Sequence, residues 1–120
     1  MSKLLLIEDN ILLLETTREL LEAIDHQVFM AANGQQARDM MASHWTEIEL
    51  VLLDLTLPDV DGEELLLELA DKYANLKVVL CTGSSNDENL RRHPAVRGYL
   101  AKPFELRELQ KAITQALDEK

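Results

Sequence analysis

A single cysteine, Cys81, stands in these 120 residues. It has no partner for an internal disulfide, and one thiol alone makes no metal site, which favours a reducing, cytoplasmic setting. Basic residues are also few. Lys and Arg total 12 against 22 Asp and Glu, a formal net charge of -10 at pH 7. A chain that acidic repels phosphate backbones and anionic bilayers, so no direct contact with nucleic acid and no docking on a membrane are expected. Long apolar runs are missing as well. The run Leu4–Ile7 stops at Glu8-Asp9, well short of a signal-peptide core. No stretch approaches the ~20 apolar residues of a membrane helix. Internal repeats, low-complexity tracts and linkers are absent, so residues 1–120 read as one soluble domain.

What is present is a folding composition. The hydrophobic fraction is 47 %, and a chain of this length buries roughly two-thirds of its unfolded surface. Two kinds of apolar segment alternate. The short kind is Leu4–Ile7, Gln27–Ala31, Leu50–Leu53, Val78–Cys81 and a weaker Tyr99–Ala101. The first, third and fourth are apolar at every position, as strands covered on both faces are. The longer kind has helical spacing. Leu13, Leu14, Thr17, Leu20, Leu21 and Ile24 share one face, with Glu15, Arg18, Glu19 and Glu22 opposite. Ala37, Met40 and Met41 follow Asn33-Gly34, where Asn33 suits an N-cap. Leu65, Leu66, Leu69 and Tyr73 follow Asp61-Gly62. Leu109, Ala112, Ile113, Ala116 and Leu117 follow Pro103, whose fixed φ suits a first helical turn. Strand and helix alternate about five times, which predicts an α/β doubly wound parallel sheet of five strands. An eight-fold barrel needs ~250 residues and is excluded.

Open parallel sheets bind ligands beyond the carboxyl ends of their strands. There the chain places Glu8-Asp9 after the first strand, Asp54 after the third, Thr82 after the fourth and Lys102-Pro103 after the fifth. Three clustered carboxylates repel one another unless a cation holds them. Hard oxygen ligands at such a rim suit Mg²⁺. With that charge offset, a carboxylate can attack phosphorus while Lys102 and the Thr82 hydroxyl steady the phosphoryl oxygens. The constellation points to phosphoryl transfer onto an aspartate.

Four segments carry a resemblance that spans the whole chain: Leu4-Leu5-Leu6-Ile7-Glu8-Asp9-Asn10, Leu52 through Gly62, Cys81-Thr82-Gly83, and Gly98-Tyr99-Leu100-Ala101-Lys102-Pro103-Phe104. Together, in this order, they resemble the receiver domains of two-component response regulators, a CheY-like module. The resemblance implies a flavodoxin-like sheet of strand order 2-1-3-4-5 with five helices. It also implies that Asp54 is the phosphoacceptor and that Glu8 and Asp9 position Mg²⁺, with Mn²⁺ as a substitute and Asp9 the more direct ligand. The Thr56 backbone carbonyl would complete the protein share of the metal shell, and Thr82 and Lys102 would contact the phosphoryl group. A cis peptide at Lys102-Pro103 is implied too.

By the same resemblance the phosphoryl donor is a histidine kinase or a histidine phosphotransfer protein. The receiver catalyses its own phosphorylation and slow dephosphorylation, as a switch and not as a metabolic enzyme. Thr82 and Tyr99 carry the switch, and the target is a downstream protein or an output domain outside these residues. Without the resemblance, Tyr99 reads as a half-buried strand aromatic. Thr56 and Ser84 should border the path of the hydrolytic water.

Some stretches depart from that pattern. Between Thr82 and Lys102 the chain is slightly short, Pro94 stands where a fourth helix would end, and Leu90 is the one large apolar residue of an expected stripe. The fourth helix is therefore expected to be short or irregular, which bears on whether the chain uses the family's phosphorylation-dependent dimer face. Asp59, Asp61, Gly62 and Glu68 partly imitate a calcium loop, but Leu57 occupies its first ligand position, so the acids read as a solvated loop and helix start. His26, His44 and His93 read as surface residues, Trp45 as closing the edge of the second helix, and Cys81 as a buried strand residue. Two rival functions remain. A degenerate receiver would act only as a protein-binding module. A haloacid-dehalogenase-type phosphatase would need an acid two residues after its nucleophile, where Thr56 stands.

Overall fold

The unbroken apolar runs of β1 (Lys3–Ile7), β3 (Leu50–Asp54) and β4 (Val78–Thr82) become the three central strands of a sheet covered on both faces. β2 (Gln27–Ala31) and β5 (Val96–Ala101) form its edges and are only half-buried along most of their length. All pairings are parallel, in the order β2-β1-β3-β4-β5. The computed structural model describes residues 2–82, 90 and 92–118. Among them, the helices are α1 (Ile11–Ala23), α2 (Gly34–His44), α3 (Gly62–Lys72) and α4 (Leu106–Asp118). The short helix expected from Asn86-Asp87-Glu88 to before His93 lies for the most part outside the described residues, as does Ser84.

Strand periodicity sorts the core into two layers. Leu4, Leu6, Leu50, Leu52, Val79 and Cys81 face α1 and α4. Leu5, Ile7, Val51, Leu53, Val78 and Leu80 face α2 and α3. Because successive side chains of a strand point to opposite faces, a run apolar at every position is the only kind that feeds both layers. Each fully buried Leu or Ile contributes about 1.5–3 kcal/mol relative to exposure.

Helix starts follow their caps. Asn10 Oδ1 accepts the Leu13 N–H at 3.1 Å, Asn33 Oδ1 the Gln36 N–H at 2.8 Å, and Asp61 Oδ1 the Glu63 N–H at 2.9 Å. Pro103 does not begin a helix. α4 starts three residues later, where Glu108 Oε1 reaches back 3.0 Å to the Glu105 N–H, half of a capping box. On α1, Leu20 is 36 % exposed; Leu14, Thr17 and Leu21 form the buried stripe.

The three histidines are half-buried rather than free on the surface, because each ring has found a partner. His26 Nδ1 accepts the Ser2 N–H at 3.2 Å and His93 Nδ1 the Ala95 N–H at 3.0 Å. His44 stacks on Phe29 with centroids 4.4 Å apart and lies 2.9 Å from Glu47. Trp45 does take the C-cap of α2, yet its side chain remains exposed, 6.1 Å from the Tyr73 ring. Among the described residues, no helix is long and apolar enough to cross a membrane.

Candidate functional site

After β1 the chain forms β2 on one side and then crosses to β3 on the other. The strand order therefore reverses between β1 and β3, and the crevice beyond their carboxyl ends is where such a sheet binds ligands. Glu8 and Asp9 leave the end of β1, and Asp54 is the last residue of β3. Carboxylate oxygens of all three lie within 4.8 Å of one another. Glu8 and Asp54 are buried, at 5 % and 4 % exposure, while Asp9 is exposed.

Lys102 enters from the far side of the sheet. β4 and β5 pair in register through Thr82 and Ala101, and the Lys102 N–H donates to the Thr82 carbonyl at 2.8 Å. From there its ammonium reaches back to Glu8 Oε1 at 2.5 Å and Asp54 Oδ2 at 3.2 Å. Burial opposes its charge, but the hydrogen bond to Glu8 and the nearby Asp54 carboxylate prevail, and its pKa lies above the ordinary lysine value.

The remaining oxygens of the buried acids are held by backbone. Glu8 Oε2 accepts the Asn10 N–H at 3.1 Å, and Asp54 Oδ1 accepts the Thr56 N–H at 3.1 Å. Thr56 is exposed and forms an antiparallel bridge with Asp61, and the Gly62 N–H donates to the Leu55 carbonyl at 3.2 Å. A Cβ on Gly62 would sit 2.5 Å from Leu55 Cα and from its carbonyl oxygen. This close approach seats the start of α3 against the segment leaving β3.

Glu8, Asp9, Asp54 and Lys102 thus meet in one place, with Thr82 buried at the end of β4. Three carboxylates and one ammonium leave two net negative charges, a donor set of hard oxygens that fits a divalent cation such as Mg²⁺. Glu8 is committed to Lys102 and Asn10, whereas Asp9 is exposed. Tyr99, half-buried on β5 and paired with Leu80, packs against the α2–α3 layer. Cys81, the β3–β4 partner of Asp54, is buried, and burial pushes its thiol up to about 12, which makes it a poor nucleophile.

Two supporting residues carry more than the sequence suggested. Asn10 does double duty, capping α1 and donating its own N–H to Glu8; an Asn directly before an apolar helical stripe is the sequence signal. Asp59 is not simply solvated. Its Oδ1 accepts the Gly34 N–H at 2.7 Å and its Oδ2 the Gln35 N–H at 3.0 Å, at the start of α2. These bonds, chiefly the one from Gly34, hold its carboxyl below the usual carboxylate range. A contact across 25 residues leaves no local trace in a sequence.

A family model described as the response regulator receiver domain matches residues 4–114. The chain is 31 % identical over 100 residues to the sensor kinase CckA of Brucella abortus, covering 82 % of this chain and 11 % of that protein. It is 28 % identical to sporulation initiation phosphotransferase F of Bacillus subtilis, covering 96 % of this chain and 93 % of that one. Of the longer curated relatives, then, it spans only a part. Among solved structures, the response regulator protein TrrA of Thermotoga maritima in complex with Mg(2+)-BeF superposes with a TM-score of 0.86 at 26 % identity, over 98 % of this chain and all of that one.

Proposed function

The chain belongs to the response regulator receiver family of two-component signalling, and from that premise we propose that it is a phosphorylation switch whose phosphoacceptor is Asp54. The observation that carries the reading is the meeting of Glu8, Asp9 and Asp54 within 4.8 Å, with Lys102 bridging two of them. The donor is a phosphohistidine on a histidine kinase or a histidine phosphotransfer protein. A carboxylate oxygen of Asp54 bonds to phosphorus as the P–N bond breaks, and the imidazole nitrogen leaves with the bonding pair.

The residues around Asp54 prepare that step. The Thr56 N–H fixes one carboxylate oxygen and Lys102 faces the other, so the side chain is oriented before a donor arrives. Lys102 then neutralises the charge on the transferred group, and the Thr82 hydroxyl donates to a phosphoryl oxygen. Glu8, Asp9 and Asp54, with the Thr56 carbonyl, would hold Mg²⁺ or Mn²⁺, which when bound offsets the charge gathered between nucleophile and phosphoryl group. The complex of TrrA with Mg(2+)-BeF supports the same assignment here. Hydrolysis, with water bonding to phosphorus as the acyl phosphate P–O bond breaks, restores the carboxylate and resets the switch.

The output runs through Thr82 and Tyr99. Thr82 ends β4 and Tyr99 lies on β5, so a hydroxyl drawn toward the phosphoryl group opens space beside the aromatic ring and biases two arrangements of that edge. A downstream protein or an output domain reads the difference.

Incubation with Mg²⁺ and acetyl phosphate tests the reading. One acid-stable, alkali-labile phosphoryl group is expected on Asp54, and none on Asp54→Asn. A wild-type protein that takes up no phosphoryl group with metal present is instead a binding module. Repeated turnover of ordinary phosphate esters would favour a phosphatase.

A further inference from the structure

The segment between β3 and α3 is closed at its base by the Thr56–Asp61 bridge and the Gly62–Leu55 hydrogen bond. Its tip rests on another element. Asp59 accepts the first two N–H groups of α2, those of Gly34 and Gln35, while the third, that of Gln36, goes to Asn33 Oδ1. α2 carries no acidic residue in its own first turn, so Asp59 supplies from outside the negative charge that a helix N-terminus favours. The fit is close. Gly34 is buried, and a Cβ there would lie 2.3 Å from Val60 Cγ1 and 3.2 Å from Asp59 Oδ1.

We propose that Asp59 is a positioning residue for phosphoryl acceptance: by latching the tip of the post-β3 segment to α2, it holds the Thr56 N–H on Asp54 Oδ1. The inference deepens the reading of Asp54 as phosphoacceptor and rests on it. The segment is held at its base by hydrogen bonds, at its tip by Asp59, and between them by Leu57 and Val60, which pack on the α2–α3 layer of the core; Thr56 lies between Asp54 and that tip. Without the two hydrogen bonds to α2, the tip keeps only the packing of Leu57 and Val60 above its base and gains freedom that is passed to Thr56. The Thr56 amide then spends less time on the carboxylate, and the nucleophile is less well oriented.

The competing account is that Asp59 merely stabilises α2. Asn33 separates the two, because its side-chain hydrogen bond caps the same helix turn at Gln36 and does not go to the segment after Asp54. Asp59→Ala, Asp59→Asn and Asn33→Ala are compared by urea unfolding, by amide hydrogen exchange and by the rate of labelling with acetyl phosphate and Mg²⁺. Both alanine variants should lose stability. In Asp59→Ala alone, exchange of the Thr56 amide should rise about tenfold and labelling of Asp54 should slow about three- to tenfold. Asp59→Asn keeps one acceptor oxygen and should fall between. Thr56 exchange in Asp59→Ala no faster than in Asn33→Ala would overturn the proposal. An unlabelled wild type would overturn the phosphoacceptor reading and with it a role of Asp59 in acceptance, while the exchange comparison separately decides whether Asp59 holds the Thr56 amide on Asp54.

Discussion

The Lys102 ammonium stands 3.2 Å from Asp54 Oδ2, and this one cation also serves Glu8. Side-chain exposures of 5 % for Asp54 and 6 % for Glu8 mean that both acids depend on it for a countercharge. Lys102→Met should therefore cost about 3 kcal/mol in metal-free urea unfolding, the usual price of stranding a buried charge. Added Mg²⁺ should raise the stability of this variant more than that of the wild type, because it replaces the missing cation. Equal responses to Mg²⁺ would mean that Lys102 and the metal do not share the same carboxylates.

The two tight glycines should respond differently to alanine. At Gly62 the new methyl meets the Leu55 backbone at 2.5 Å, so α3 must move away from the end of β3. Gly62→Ala should lose about 1–3 kcal/mol and slow phosphoryl uptake. At Gly34 the methyl meets Val60 Cγ1 at 2.3 Å and Asp59 Oδ1 at 3.2 Å, which are side-chain atoms and not backbone, so less of the fold has to move. Urea midpoints should therefore rank Gly34→Ala above Gly62→Ala.

Cys81 should be inert while the protein is folded. With its thiol pushed up to about 12 by burial, little thiolate exists at pH 8 and none is exposed. An aromatic disulfide reagent should label the native protein at least about a hundredfold more slowly than the urea-unfolded chain. Labelling that is fast in native buffer would contradict the packing of β4 against α1 and α4.

Acidification should act through His26. Burial holds its ring below the usual histidine value, and Nδ1 can accept the Ser2 N–H only while unprotonated. The unfolded chain binds the proton first, so stability is full above the unfolded value near 6.5. It declines as pH falls from there toward the lower folded value. His26→Gln should flatten that part of a plot of urea midpoint against pH, and an unchanged slope would remove His26 as its source.

How much was legible depended on range along the chain. β2 lies where its apolar run lies, and α1 and α2 begin at Asn caps, because those signals are local. Pro103 misled, since proline is compatible with a first turn without requiring one, and Glu108 set the start of α4 instead. The histidines misled for a different reason. His26 reaches Ser2 across 24 residues, while His44 lies three residues from Glu47 and His93 two from Ala95, contacts that depend on local backbone turns with no sequence signature of their own. From sequence alone Asp59 reads as solvated, because its partners lie 25 and 24 residues away.

The sequence by itself determined the alternation of strand and helix and the set of acids, hydroxyl and lysine at strand ends, because period and strand length are written into neighbouring residues. Only the tertiary structure decided what each of them does. Strand order put β1 beside β3 and brought Glu8 to Asp54; the reach of Lys102 from β5 joined them; and burial separated Glu8, held by Lys102 and Asn10, from exposed Asp9. Charge interactions decay with distance and depend on how much water is excluded, and neither distance nor water is a property of a chain read in one dimension.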